Sequence, residues 1–327
     1  LKKFIYPIFF LLSILFSACG QTGPEVVSDM TDVRLVMPFR PDVQFAPFYV
    51  AIEKGYFADS GLNVTIEHFP ENEAVVLVGA GEIQFAVVSG EQVLLARAQE
   101  LPVVYVMAWW NEYPVAVAVP EASAIYSPSD LVGKKVGIPG LYGASYIGFR
   151  ALLSAGGVSE SETILDTIGY NQVEAMLAGQ EDAIVVYANN EPLQLQDQGF
   201  STRLIRVADY VTLASNGLIT NEETLAANPE LIRKMVTAIL KGIDRAITNT
   251  DEAYEISKEF VEGLDQTQSD VLRNVLEESV SFWEMDQPGE SKPDAWTNMH
   301  NILLEMGLLE TPLNVQDAYN NDYLPDK

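Results

Sequence analysis

Trp109, Trp110, Tyr113, Tyr142, Tyr146, Tyr170 and Tyr187 all fall where strand-like runs end or where the next helix begins. Open α/β sheets bind ligands beyond the carboxyl ends of their strands, so rings at those places can hold a flat heterocycle. Each favourable ring pair adds ~0.5–1.5 kcal/mol beyond the area it buries. Any one of these rings taken singly is more readily a packing residue; their coincidence at equivalent ends favours a binding surface. Neighbouring strand residues point to opposite faces, so one of Trp109 and Trp110 is expected at the ligand and the other inside, with a slight preference for Trp110 at the ligand.

Polar groups at the same ends can fix a ligand's orientation. Gly143-Ala144-Ser145 opens a helix and offers free backbone N–H groups together with the Ser145 hydroxyl. Asn171, Gln172, Asn189, Asn190 and Glu191 can pair with the donor and acceptor edge of a uracil-like ring, or with sugar hydroxyls. Ser89, Glu91 and Gln92 stand equivalently in the first half, where Ser89 is also expected to cap a helix. Arg40 and Arg150 are isolated, so a neutral ring suits these loops better than a sulfonate or phosphate.

Catalytic equipment is sparse. Two histidines and one cysteine leave little for a zinc site, a disulfide framework or a Cys/His pair. His68 on a strand and His300 in a helix are more often structural. Gly137-Ile138-Pro139-Gly140 precedes a helix but lacks the spacing of a dinucleotide loop. No catalytic residue, metal ligand or cofactor is expected. The charge excludes other partners: 46 Asp+Glu against 19 Lys+Arg give a net −27, with no basic run. Nucleic acid and anionic lipid surfaces would repel such a chain.

The N-terminus indicates a compartment. Lys2 and Lys3 precede an apolar run from Phe4 to Phe16, followed by Ser17-Ala18-Cys19-Gly20. That describes a secretory signal too short to span a membrane comfortably. The segment resembles a bacterial lipoprotein signal with Cys19 as the lipidated residue, although Phe16 stands where Leu is usual. An ordinary cleaved signal is the alternative. Residues 1–19 are expected to be the signal and 20–32 a flexible tether, leaving the protein extracytoplasmic and membrane-bound through its lipid alone.

From Val33 onward strand-like and helix-like segments alternate, which predicts an α/β protein with parallel sheets. The first unit has strands at Val33–Met37, Asn63–Phe69, Ile83–Val88, Val103–Trp109 and Val115–Val119. The second has strands at Lys135–Ile138, Thr163–Ile168, Ala183–Tyr187 and Arg203–Val207. After Asn216-Gly217 the chain reads as almost wholly helical, with Asn228-Pro229 starting one helix and Ser291 with Asp294 capping the last. Two lobes follow, residues 33–120 with 216–327 as lobe one and 121–215 as lobe two. Pro120–Ser127 and Ala208–Ser215 are the expected crossings, and the helical tail should pack on lobe one.

Four motifs in order then carry a family resemblance. Gln44-Phe45-Ala46-Pro47-Phe48-Tyr49-Val50-Ala51 leads into Glu53-Lys54-Gly55-Tyr56-Phe57 and Gly61-Leu62-Asn63-Val64. Gly79-Ala80-Gly81-Glu82-Ile83-Gln84-Phe85 and Asp130-Leu131-Val132-Gly133-Lys134-Lys135-Val136-Gly137 follow. Together they resemble the NMT1/THI5-like solute-binding proteins over nearly the whole mature chain. The resemblance implies a two-lobed type II periplasmic-binding fold with two hinge crossings, serving the permease and ATPase of an ABC importer. Val43-Gln44-Phe45-Ala46-Pro47, Ser89-Gly90-Glu91-Gln92 and Gly140–Tyr146 are most similar to the RibY riboflavin-binding group. That likeness adds Gln44 and Phe45 to the candidate contacts and riboflavin as the expected ligand. A thiamine-precursor pyrimidine is the alternative, though Asp42-Val43-Gln44-Phe45 stands where such binders usually carry Asn-Thr-Asn-His. Pyrimidine synthases share the fold but rely on a cysteine-rich motif, a histidine and a cofactor-bearing lysine. With its single cysteine at the N-terminus, this chain is not expected to be an enzyme.

Overall fold

A computed structural model describes Leu1, residues 30–264 and residues 269–325, so the signal and Cys19 lie outside the described residues. Lobe one begins with β1 (Thr31–Met37), α1 (Ala46–Glu53), α2 (Tyr56–Asp59), β2 (Leu62–His68), α3 (Glu71–Gly79), β3 (Phe85–Val88), α4 (Gly90–Ala98) and β4 (Val103–Ala108). Lobe two holds β5 (Val115–Pro120), β6 (Lys135–Ile138), α5 (Gly143–Ala155), β7 (Ile164–Thr167), α6 (Gln172–Leu177), β8 (Ala183–Tyr187), α7 (Glu191–Asp197) and β9 (Thr202–Arg206). The chain returns through β10 (Gly217–Asn221), α8 (Glu222–Ala227), α9 (Pro229–Thr248), α10 (Thr250–Ser257), α11 (Ser269–Trp283) and α12 (Pro293–Glu305).

Two five-stranded sheets result, ordered β2-β1-β3-β10-β4 and β7-β6-β8-β5-β9. Each contains one antiparallel strand, β10 in the first and β5 in the second, and in each case it is the strand delivered by a crossing. This is the two-lobed α/β architecture of periplasmic binding proteins.

Several expectations are corrected here. Val115–Pro120 pairs with β8 and β9, so it belongs to lobe two, not lobe one. The first crossing therefore runs through residues 109–114, not Pro120–Ser127, while the second lies between β9 and β10. The stretch after Asn216 is not wholly helical, because β10 sits in the middle of the first sheet. Ser291 does not cap α12; its Oγ accepts a 2.6 Å hydrogen bond from Trp296 Nε1. Strand β1 also starts at Thr31, two residues inside the expected tether.

Packing follows from sequence pattern. In α1 every residue from Ala46 to Ala51 is buried, as an all-apolar helix requires when enclosed on several sides. It lies against α9, whose buried stripe runs through Leu231, Ile232, Met235, Val236, Ile239 and Ile243. Asn228 starts α9 by accepting from Leu231 N at 3.1 Å, with Pro229 at the first helical position. Gly242 lets the two backbones meet: a Cβ there would stand 2.1 Å from the Pro47 carbonyl oxygen. The tail touches both lobes, since α11 contacts the turn at residues 43–45 and α7, and α12 contacts α4 and α5. No described helix is long and apolar enough to cross a membrane.

Candidate ligand site between the lobes

The two crossings meet at the base of the inter-lobe space. Trp109 N and Trp110 N both donate to the Asn216 carbonyl oxygen, at 3.0 and 3.3 Å. The Trp109 indole stacks on Phe45 (5.5 Å between centroids, 29°) and meets Phe48 edge-on. Trp110 lies 4.9 Å from Trp109, 5.8 Å from Tyr187 of lobe two and 5.0 Å from Phe282 of α11. Both indoles are 1% exposed, so the expected division into one outward and one inward ring does not occur. They stand beyond the end of β4, where strand alternation no longer sets side-chain direction. Trp109 Nε1, Trp110 Nε1, Asn216 Oδ1 and Ser215 Oγ are buried without a protein partner. An unsatisfied buried polar group costs about 1–3 kcal/mol, so each is an opening for a ligand or a water.

Carboxyl groups line the same base. Glu71 in the first turn of α3 accepts from Asn216 Nδ2 at 3.3 Å and stands 2.5 Å from Ser89 Oγ. Ser89 Oγ also contacts Glu91 Oε1, so its side chain joins two carboxyls and does not cap α4 as expected. Tyr113 OH lies 3.2 Å from Glu91 Oε2 and 3.1 Å from the Ala144 carbonyl oxygen. Burial raises both carboxyls well above the ordinary range, and the Glu91 charge raises Glu71 further. Opposite them, Asp42 Oδ1 accepts from Gln44 N at 3.1 Å, and Glu191 Oε2 accepts from Tyr187 N at 2.9 Å. Burial pushes Asp42 up to about 6 and Glu191 up to about 7, each opposed by backbone hydrogen bonds.

Aromatic rings close the rim. Phe39 of lobe one meets Tyr170 of lobe two edge-on, 5.6 Å between centroids, and Tyr170 is hydrogen-bonded to Tyr142. Tyr142 and Tyr170 remain 66% and 65% exposed. Phe39 has φ of +62°, a left-handed backbone rare for an aromatic residue, which turns the chain at the end of β1 over the rim. Arg40 sits above the Phe39 ring at 5.2 Å, and His68 lies 5.8 Å from Phe45.

Not every sequence candidate is brought in. Tyr146 is turned away, donating to Glu160 at 2.8 Å and accepting from Arg150 at 3.0 Å on the far flank of α5. Asn171 donates to the Ile168 carbonyl at 2.8 Å and stays exposed. Asn190 is buried and accepts from Gln194 at 2.7 Å, and Ser145 is half-buried in the first turn of α5. Glu71, Asp42, Phe39 and Asn216 were not among the candidates; Asn216-Gly217 marked only the point after which the sequence reads as helical. Among the described residues no three His, Cys, Asp or Glu side chains gather as a metal would need. A cavity of about 340 Å³ lies apart from this base, beside Arg150 and Glu305. A second, of about 540 Å³, is lined by Trp110, Tyr113 and Ser215 together with Glu284 and Ser291.

Known proteins resemble this chain in sequence and in fold. The family described as NMT1/THI5 like matches residues 42–253. The riboflavin-binding protein RibY of Chloroflexus aurantiacus is 36% identical over 93% of this chain and 89% of its own. A formylaminopyrimidine-binding protein of Halalkalibacterium halodurans is 30% identical over 95% and 96%. Among solved structures, the periplasmic aliphatic sulphonate-binding protein SsuA of Escherichia coli superposes with a TM-score of 0.73 at 13% identity, covering 90% of this chain and 94% of that one.

Proposed function

The chain belongs to the NMT1/THI5-like family, and on that premise we propose that it captures riboflavin between its lobes and delivers it to an ABC importer. The observation that carries this reading is the base of the inter-lobe space. There two indoles and an asparagine hold unpartnered polar atoms beside carboxyls that burial keeps protonated more readily than usual. A neutral dioxo ring system offers acceptors to the indole N–H groups and a donor to Asn216 Oδ1, while its faces meet Phe39, Tyr170 and Tyr187. An anion suits this base poorly, because its charged groups are carboxylates, not guanidiniums. Identity of 36% with a riboflavin-binding protein supports the same ligand. Gln44, Phe45, Ser89, Tyr142, Ser145 and Asn190 are the further contacts of this reading, and Cys19 is its lipid anchor outside the cytoplasmic membrane.

A formylaminopyrimidine-type ligand is the second reading, favoured by the relative at 30% identity and by Asp42 and Glu191, whose carboxyls could pair with an aminopyrimidine. A synthase activity is disfavoured by the single cysteine. Titration with riboflavin tests the proposal directly. Flavin emission and indole emission should both fall on binding, and protein from rich medium should carry flavin absorbance. Binding of the formylaminopyrimidine with no response to riboflavin would transfer the role to the second ligand.

A further inference from the structure

We propose that Glu71, Ser89, Glu91 and Tyr113 form a proton-loaded clasp between the lobes, so that closing on the ligand takes up protons. The inference rests on the solute-binding reading only for its ligand; the clasp itself is a matter of counting hydrogens. Four oxygen–oxygen contacts run in series: Glu71 to Ser89, Ser89 to Glu91, Glu91 to Tyr113, and Tyr113 to the Ala144 carbonyl. Each needs a proton between its oxygens, and the two hydroxyls supply one each. The carbonyl can only accept. The two remaining protons must therefore sit on the carboxyls. With both in place every bond points one way: Glu71 donates to Ser89, Ser89 to Glu91, Glu91 to Tyr113, and Tyr113 to Ala144.

The series crosses from one lobe to the other at Glu91 and Tyr113. Glu71 and Glu91 belong to α3 and α4 of lobe one, and Ser89 directly precedes α4. Tyr113 travels with lobe two: its ring packs on Gly148 of α5, where a Cβ would stand 2.8 Å away, and the next residue, Pro114, accepts from Ala188 N. If Glu91 is ionised, Tyr113 must turn its one proton from Ala144 to the carboxylate, or two lone pairs face each other across the lobes. Separating the lobes lets water reach the carboxyls, whose affinity for protons then returns toward normal.

Among the described residues no cation is found in contact with the pair. The titratable groups facing the pair are Tyr113 from the first crossing, Tyr187 from β8 and Tyr170 ahead of α6. All three phenols are raised, chiefly by burial, and stay neutral. Asn216 at 3.3 Å from Glu71 and Gln92 at 3.5 Å from Glu91 are uncharged. Desolvation is the largest influence on both carboxyls, and it favours their protonated forms.

The test is titration calorimetry of the full chain with riboflavin, in buffers of different ionisation enthalpy, from about pH 6 to about pH 9. Wild type should take up roughly one to two protons per ligand around neutral pH, above the ordinary carboxyl range but below the raised values of the buried pair. Affinity should fall there by up to about tenfold per pH unit for each proton, and the uptake should fade as pH climbs through those raised values. Glu91→Gln should reduce that uptake, since its amide can donate to Tyr113 while its carbonyl accepts from Ser89. Tyr113→Phe should reduce it as well, which keeps the test open if one variant folds poorly. Riboflavin binding with no proton uptake and a flat pH profile would overturn the clasp and leave the function standing. If riboflavin does not bind, X-ray scattering of the unliganded protein across the same pH range decides the clasp separately. Lobes that separate as pH rises in wild type but less in Glu91→Gln support it, and an invariant radius overturns it.

Discussion

Trp109 and Phe45 lie stacked on one another, 5.5 Å between ring centroids, joining the first crossing to the turn that precedes α1. Both belonged to the sequence's candidate ligand contacts, yet each is at most 2% exposed and each also serves the apolar core of lobe one. Trp109→Ala should therefore cost ~3–5 kcal/mol of folding stability, as large core truncations do. Denaturant unfolding measures it. A loss below about 1 kcal/mol would mean that the indole is not part of the core.

Gly242→Ala probes the contact between α9 and α1. The added methyl would stand 2.1 Å from a backbone carbonyl oxygen, which no side-chain rotation can relieve. The helices must separate, at about 1–3 kcal/mol. A lowered melting temperature with ligand affinity changed by less than about threefold is the expected pair of outcomes. An unaltered melting curve would contradict the close approach.

Much of this fold was legible in the sequence, and the exceptions share a physical cause. Strand positions in both units were readable because runs such as Ala183–Tyr187 are continuously apolar and bounded by turns. Strand β10 was not, because Gly217-Leu218-Ile219-Thr220-Asn221 is short, starts with glycine and leads straight into a helix. Glycine is required there by Tyr105, whose hydroxyl would lie 2.1 Å from a Cβ. The first crossing was misplaced because Val115–Pro120 is as apolar as β4, and no local pattern says which sheet a strand will join. The aromatic rings that the structure brings together at the inter-lobe space were readable at strand ends; the acids beside them were less so. Glu71 looks like an ordinary acidic residue in a helix's first turn, in a chain with 46 Asp+Glu, and only tertiary packing sets it against Glu91. Tyr146 misled for the opposite reason: it is three residues past Gly143, on another flank of α5, where Arg150 and Glu160 take its hydroxyl.

Glu191 gives a pH prediction with a definite sign. Burial raises its carboxyl from 4.5 to about 7, so between those values the folded protein holds a proton that the unfolded chain has released. Stability should consequently fall as pH rises through that window, and the penalty is complete only above the folded value. At ~1.4 kcal/mol per unit the contribution is roughly 3 kcal/mol. Glu191→Gln keeps the acceptor for Tyr187 N and removes the titration. Its stability should vary less with pH than wild type over that range, and equal slopes would show that Glu191 is not the group responsible.

Anchoring is tested at Cys19. Wild type produced with its signal should partition with membranes, whereas Cys19→Ala should stay uncleaved or be recovered in soluble form. Two signals combined are needed for stable anchoring in many lipidated proteins, so a detergent-phase assay is preferable to sedimentation alone. Identical membrane retention and an identical cleaved N-terminus in both forms would reject lipidation.

The rim tyrosines separate the two ligand readings. Tyr142 and Tyr170 are about two-thirds exposed with the lobes in contact, so neither holds the core together. Tyr170→Ala and Tyr142→Ala should each leave the melting temperature within a few degrees of wild type. A three-ring flavin offers more ring face for rim stacking than a single pyrimidine ring does. Loss of one stacking partner should weaken riboflavin binding by roughly 1–2 kcal/mol, combining lost ring contact with lost burial. Formylaminopyrimidine affinity should change little in the same variants. Fluorescence titration of both ligands against wild type and the two variants gives the comparison. Riboflavin binding that ignores both substitutions would place the flavin away from the rim, and a pyrimidine affinity that falls with them would favour the smaller ligand as the one the lobes close upon.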